Sequence, residues 1–204
     1  MPNPLDAVEH LRSADTRLAA LIDRVGPCRI GYRPPTFATL ARSIVYQQLS
    51  GKAAATIYGR LERAGGPGPL QAEGVLRLAP EQLRGLGLSS QKALYVRCLA
   101  ESTLAGAIRF DALPGLSDQH VIEHLTAVKG VGVWTAQMFL IFALERPDVL
   151  PTADLGIRNA ITRLYRLRKP LDAARIQRIA RPWRPHASTA CWYLWRSLDN
   201  TPAM

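Results

Sequence analysis

Cysteine is scarce in this 204-residue chain. The three present, Cys28, Cys98 and Cys191, are odd in number and share no metal-like spacing, which argues against a disulfide framework and against a zinc site. No run of about 18 uninterrupted apolar residues exists to cross a membrane. Residues 1–12 hold no basic region followed by an apolar run, so secretion is not expected and a cytoplasmic location is. Tandem repeats and low-complexity tracts are also missing. Acidic residues are in short supply: 16 Asp and Glu stand against 26 Lys and Arg, for a formal net charge of +10. Such an excess attracts polyanions over long range and makes nucleic acid the leading partner, although the same balance also serves solubility or a membrane surface. The basic residues form no single tail. Arg158, Arg163, Arg166, Arg168 and Lys169 lie in one stretch and Arg178, Arg181 and Arg184 in another, and some of them will solvate helix faces.

A hydrophobic content of 48% suffices for one core or two closely packed helical lobes but not for separate large domains, so residues 1–204 read as a single catalytic unit. The apolar spacing is helical nearly everywhere, and Gly and Pro punctuate it, which predicts an all-α protein. One helix opens at Thr36 or Phe37 and runs to about Gln47. Ser50 caps the next, to about Ala64, before the connection Gly65-Gly66-Pro67-Gly68-Pro69. Pro80 suits the first turn of a short helix, and Ser89 or Ser90 starts another. Ser117 starts a helix whose apolar side carries Val121, Ile122 and Leu125. The run from Thr135 to Ala143 is apolar nearly all round and is expected to be central. Further helices are predicted from Asp154 to about Leu167, over about 172–180 and over about 186–198.

Residues 117–154 carry the most information. They read as a helix, the glycine turn Val128-Lys129-Gly130-Val131-Gly132, a second helix from about Val133, and then the carboxylate Asp154 in Leu150-Pro151-Thr152-Ala153-Asp154-Leu155-Gly156. Two glycines two apart let a backbone turn approach a phosphate, and the following helix aims its N–H groups and positive dipole end at the same place. A G-x-G turn between helices also serves simply to close a helix, and an Asp at a helix start is also an ordinary N-cap. The ordered surroundings decide the matter: Leu125 and Val128 precede the turn, Trp134-Thr135-Ala136 follow it, and Asp154 comes about one helix later.

With three further blocks, this constellation resembles the helix-hairpin-helix superfamily of DNA base-excision glycosylases, and within it the bacterial 3-methyladenine DNA glycosylase II group. The blocks are Ile44-Val45-Tyr46-Gln47-Gln48-Leu49-Ser50, Gly85-Leu86-Gly87-Leu88-Ser89-Ser90-Gln91-Lys92, and Arg181-Pro182-Trp183-Arg184-Pro185 with Trp192-Tyr193-Leu194-Trp195. The likeness covers roughly residues 35–200. It implies two helical lobes with the active site in the cleft between them. Lobe one comprises about 1–45 plus 150–204, and lobe two comprises about 46–149 with the hairpin at 128–132. It further implies a minimal form without the additional N-terminal domain of enteric relatives, and a monomer acting on double-stranded DNA that contains alkylated bases. The iron–sulfur cluster of some relatives needs four cysteines near the C-terminus, which this chain lacks.

The resemblance also assigns roles. Asp154 matches the catalytic aspartate, where a fixed carboxylate stabilises oxocarbenium charge on deoxyribose and orients water. Trp134 stands where strand-cutting members carry a catalytic lysine, which implies a monofunctional enzyme without a Schiff-base nucleophile. Trp134 and Trp192 match aromatic walls of an alkylbase pocket, where indole faces attract a cationic base by about 0.5–2 kcal/mol each, and Met138, Leu155 and Tyr46 complete that pocket. Trp183 and Trp195 read as core. Lys129, Gly130, Val131, Gly132 and Thr135 are the DNA-gripping positions. Gln48 is the candidate wedge that replaces a flipped nucleotide, or else a helix-end glutamine bonded to its own backbone. Lys92 matches a family position without assigned chemistry. No cofactor is expected beyond a structural Na+ or K+ on the main-chain carbonyls of Thr126, Val128 and Val131. Two rivals remain: a non-enzymatic helix-hairpin-helix module, which leaves Asp154 and the aromatic blocks unexplained, and a glycosylase/lyase, which Trp134 and the missing cysteines oppose.

Overall fold

Twelve α-helices and two short turns of 3-10 helix make up the regular structure of a computed structural model that describes residues 4–168 and 171–198. Among the described residues there is no strand, as the all-α expectation requires. In chain order the helices are α1 (Pro4–Ala14), α2 (Thr16–Val25), α3 (Phe37–Tyr46), α4 (Gly51–Gly65), α5 (Ala72–Leu76), α6 (Pro80–Gly85), α7 (Ser90–Leu104), α8 (Asp118–Thr126), α9 (Val133–Phe142), α10 (Leu155–Leu164), α11 (Ala173–Ala180) and α12 (Ala187–Arg196). Lys169 of the first basic stretch lies outside the described residues.

The chain divides into two compact units, one built from residues 1–32 and 145–202, the other chiefly from 33–144. This moves the expected lobe boundaries. Residues 33–45, expected in lobe one, belong with the hairpin. The reason is visible in α3, whose Phe37, Leu40, Ala41, Ile44 and Val45 are buried. In addition, the Lys92 ammonium of α7 donates to the carbonyls of Val45 (2.7 Å) and Gln47 (2.5 Å) at the end of α3. Residues 145–149 go to the other unit because they are tied to α12. Ser188 Oγ donates to the Arg146 carbonyl (2.6 Å) and accepts from the Val149 N–H (3.0 Å).

In the hairpin unit α9 has Ala136, Met138, Phe139, Leu140, Ile141 and Phe142 all in the core, so an apolar run with no polar face becomes a central element, and α3 is buried to the same extent. Thr36 caps α3, Ser89 caps α7 and Ser117 caps α8 through their hydroxyls, where the sequence placed these helix starts. In the other unit, Leu11, Leu18, Leu21, Ile157, Ile161, Ile176 and α12 residues Tyr193 and Trp195 form the core. α10 ends earlier than expected, at Leu164 instead of about Leu167. Arg166 turns to a φ of +53°, and the Leu167 N–H folds back onto the Thr162 carbonyl at 3.0 Å.

Candidate functional site

The hairpin starts where α8 ends. The Val131 N–H donates to the Val128 carbonyl at 3.0 Å, which closes a tight turn over Lys129 and Gly130. Val128 and Val131 are buried and anchor the turn, while Lys129 is exposed. Gly130 has a φ of +94°, and a Cβ there would fall 2.2 Å from the Tyr95 ring. Its glycine requirement is therefore internal: the turn is pressed onto Tyr95 of α7. Gly132 differs. It is the N-cap of α9 with no side-chain cap, and a Cβ on it would meet nothing within 4 Å. Gly132, Val133 and Trp134 form an exposed first turn that presents the positive end of α9, and Trp134 keeps 39% of its surface accessible.

Gln47 joins this turn to the end of α3. Its Nε2 donates to the Gly130 carbonyl (3.1 Å) and to Thr135 Oγ1 (3.4 Å), and Thr135, expected to grip DNA, is buried against Gln47. Gln48 is exposed, with a φ of +55° that aims it away from the helix path. Together Gln48, Ser89, Lys92, Tyr95 and the 130–132 backbone line a groove of about 440 Å3. Lys92, given no chemistry from sequence, holds the α3 end from which Gln47 and Gln48 emerge. Its pKa is lowered by burial. Nothing local in the sequence signals this role, because the acceptors lie more than 40 residues away. Tyr46 is half-buried with the Arg42 guanidinium 3.7 Å from its ring centroid, and Met138 is 1% exposed inside α9. Of the carbonyls considered for a cation, that of Val128 already accepts from Val131. The Thr126 hydroxyl donates to the Ile122 carbonyl at 2.7 Å.

In the other unit Asp154 caps α10, with Oδ1 accepting from the Ile157 N–H at 2.7 Å and from Trp195 Nε1 at 3.0 Å. The cap expected at this position is present, and the carboxylate, 8% exposed, is fixed from two directions. Trp195 was expected to be core only. It is fully buried, and its indole N–H also orients Asp154. The available signal was its place on α12 three residues after Trp192, on the same helix face. Trp192 is 6% exposed and packs edge-on against Tyr193 with centroids 5.0 Å apart. Leu155, the first residue of α10, is 70% exposed. The segment leading to Asp154 is braced as well: Asp148 accepts from Arg184 Nε (2.6 Å) and from the Ala187 N–H (3.4 Å), and the Asp154 N–H closes a turn onto the Pro151 carbonyl at 3.0 Å.

The family model for HhH-GPD superfamily base excision DNA repair proteins matches residues 41–185, a stretch that contains both the hairpin and Asp154. The chain is 34% identical over 193 residues to DNA-3-methyladenine glycosylase 1 of Schizosaccharomyces pombe, covering 92% of this chain and 85% of that protein. Among solved structures it is similar to a 3-methyladenine DNA glycosylase of the same yeast in complex with abasic DNA, with a TM-score of 0.85, 32% identity and coverage of 98% and 99% of the two chains. It is also similar to a DNA-3-methyladenine glycosidase from Bacillus halodurans, with a TM-score of 0.83, 37% identity and coverage of 96% and 89%.

Proposed function

The chain belongs to the HhH-GPD superfamily of base excision DNA repair proteins, and on that premise we propose that it is a monofunctional alkylbase DNA glycosylase. It takes purines of the 3-methyladenine and 7-methylguanine type out of duplex DNA and hydrolyses their N-glycosidic bond, acting as a monomer. DNA is its partner, as for the relative solved with abasic DNA. The observation that carries the catalytic reading is the carboxylate of Asp154, held by a backbone N–H and an indole N–H at the start of α10.

In the reaction the bond from C1′ to the base nitrogen breaks and its electron pair leaves with the base. The sugar gains oxocarbenium character, which the fixed Asp154 charge opposes. Water adds its oxygen to C1′ and gives its proton to solvent. A methylated purine is already cationic, so it departs neutral and is the better leaving group, and its weakened pairing makes it cheaper to flip. Trp134 offers an indole face and no amine, which supports hydrolysis over a covalent enzyme–sugar intermediate. Lys129 and the 130–132 backbone meet phosphate oxygens at the α9 start, and Gln48 enters the stack as the wedge. A monovalent cation on the carbonyls of Thr126, Val128 and Val131 would add positive charge at the same phosphate.

The test is Asp154→Asn. Asparagine is as good an N-cap as aspartate, so the fold is kept while the charge is removed. Single-turnover excision is expected to fall by about 10²-fold or more with little change in affinity for DNA. Near-normal excision would remove Asp154 from the mechanism.

A further inference from the structure

We propose that a cationic groove beside the Asp154 segment is a second phosphate-binding site, which seats the backbone of the DNA strand carrying the flipped nucleotide. The groove, of about 650 Å3, is lined by Leu150, Thr152, Gln177 and three arginines, Arg178, Arg181 and Arg184, with Asp148 as its single carboxylate. That carboxylate is committed to Arg184 Nε and the Ala187 N–H at the start of α12. Arg178 and Arg181 are exposed, and no carboxylate of the described residues pairs with either. They lie three apart where α11 passes into the 3-10 turn Arg181–Trp183, on one face, so two like charges stand side by side. The negative end of α11 favours both Arg178, in its last turn, and Arg181, its C-cap residue, but supplies no counter-charge between the two guanidiniums. An anion lying between the two guanidiniums relieves their repulsion, and bidentate guanidinium–phosphate pairing suits the geometry.

The position of the groove selects the anion. Thr152 lines it and is two residues from Asp154, a reach of at most about 7 Å, or about two base steps of axial rise along one strand. A phosphate at the Thr152 end therefore belongs to a nucleotide next to the sugar on which Asp154 acts. This site rests on the glycosylase reading and deepens it, giving the unit that carries the carboxylate its own grip on DNA.

The experiment measures affinity for a duplex containing a tetrahydrofuran abasic analogue across a salt series, with single phosphates of the lesion strand replaced by methylphosphonates. Arg178→Ala and Arg181→Ala are each expected to lower the slope of log affinity against log salt by about one, and the double variant by about two. The charge-preserving double variant, Arg178→Lys with Arg181→Lys, is expected to restore the slope. In wild type a methylphosphonate next to the lesion weakens binding, and that penalty vanishes in the double alanine variant. An unchanged slope in a variant that melts like wild type, or a penalty that survives in it, overturns the site. If wild type binds with a slope set by these arginines yet releases no alkylated base, the groove stands and the enzymatic reading falls. If base is released and the slope is unchanged, the groove alone falls.

Discussion

Two buried tryptophans each give their indole N–H to a carboxylate that also caps a helix. Trp195 donates to Asp154 at the start of α10, and Trp183 donates to Asp15 at the start of α2, at 2.9 Å. In the first case the consequence is catalytic. Trp195→Phe keeps an aromatic ring but removes the indole N–H that Asp154 accepts, with the Ile157 N–H bond left in place. Single-turnover excision is expected to drop about tenfold, roughly the worth of one hydrogen bond to a charged group, while affinity for abasic-analogue DNA is retained. A parallel loss of rate and affinity would show that the ring only packs. In the second case the consequence is stability. Burial pushes the Asp15 carboxyl up, but hydrogen bonds from Trp183, Tyr165 and the N–H groups of Leu18 and Arg17 outweigh it and hold the group below the ordinary value of 3.8. A depressed carboxyl stabilises the fold above the unfolded value, and that stabilisation disappears as pH falls through the folded one. Melting temperature is therefore expected to fall from about pH 4 downward, and less steeply in Asp15→Asn. Parallel acid profiles for the two proteins would contradict this.

At the scale of elements, the hairpin turn uses its two glycines for different ends. A Cβ on Gly130 would strike the Tyr95 ring, whereas one on Gly132 would meet open space. Gly130→Ala, which puts a Cβ into the Tyr95 ring at positive φ, is expected to cost more than about 1 kcal/mol of stability. Gly132→Ala should stay within about 0.5 kcal/mol of wild type in stability yet weaken DNA binding, because its methyl stands where a phosphate would come. Paired melting and affinity curves check both, and equal melting of the two variants would reverse the assignment. The sequence could show that two glycines mattered but not that one answered to a tyrosine 35 residues earlier. The same limit applied to Lys92 and Gln47, whose acceptors lie on other helices. Local chemistry was readable: the hydroxyl caps Thr36, Ser89 and Ser117 and the Asp154 cap were found because their partners are three residues away. By contrast α5 begins after Gln71, an N-cap whose side chain makes no capping hydrogen bond, and carried no such signal.

For the molecule as a whole, the excess of ten positive charges is consistent with DNA as partner, and its distribution is uneven. Arg24, Arg163 and Arg196 stand in the last turns of α2, α10 and α12 and, with Arg166, surround a second groove of about 510 Å3. There Arg24, Arg163 and Arg196 each stand at the negative end of a helix, which accounts for three of the four cations. Arg178 and Arg181 also stand at the end of a helix, α11, and what sets them apart is that the groove they line reaches Thr152, two residues from Asp154. Family and fold were legible because four separated blocks kept their order. The division into units was less so, since α3 carries the same apolar pattern whichever core receives it. The central claim, hydrolytic release of alkylated purines by this chain, is tested most directly by incubating the protein with methylated duplex DNA. The released bases are identified by mass, and the strand is run on a denaturing gel with and without alkali, beside a borohydride-treated sample. Free 3-methyladenine and 7-methylguanine are expected, with a strand that stays intact until alkali is added and no protein–DNA adduct. Absence of free base, or strand cleavage without alkali together with a trapped adduct, would contradict it.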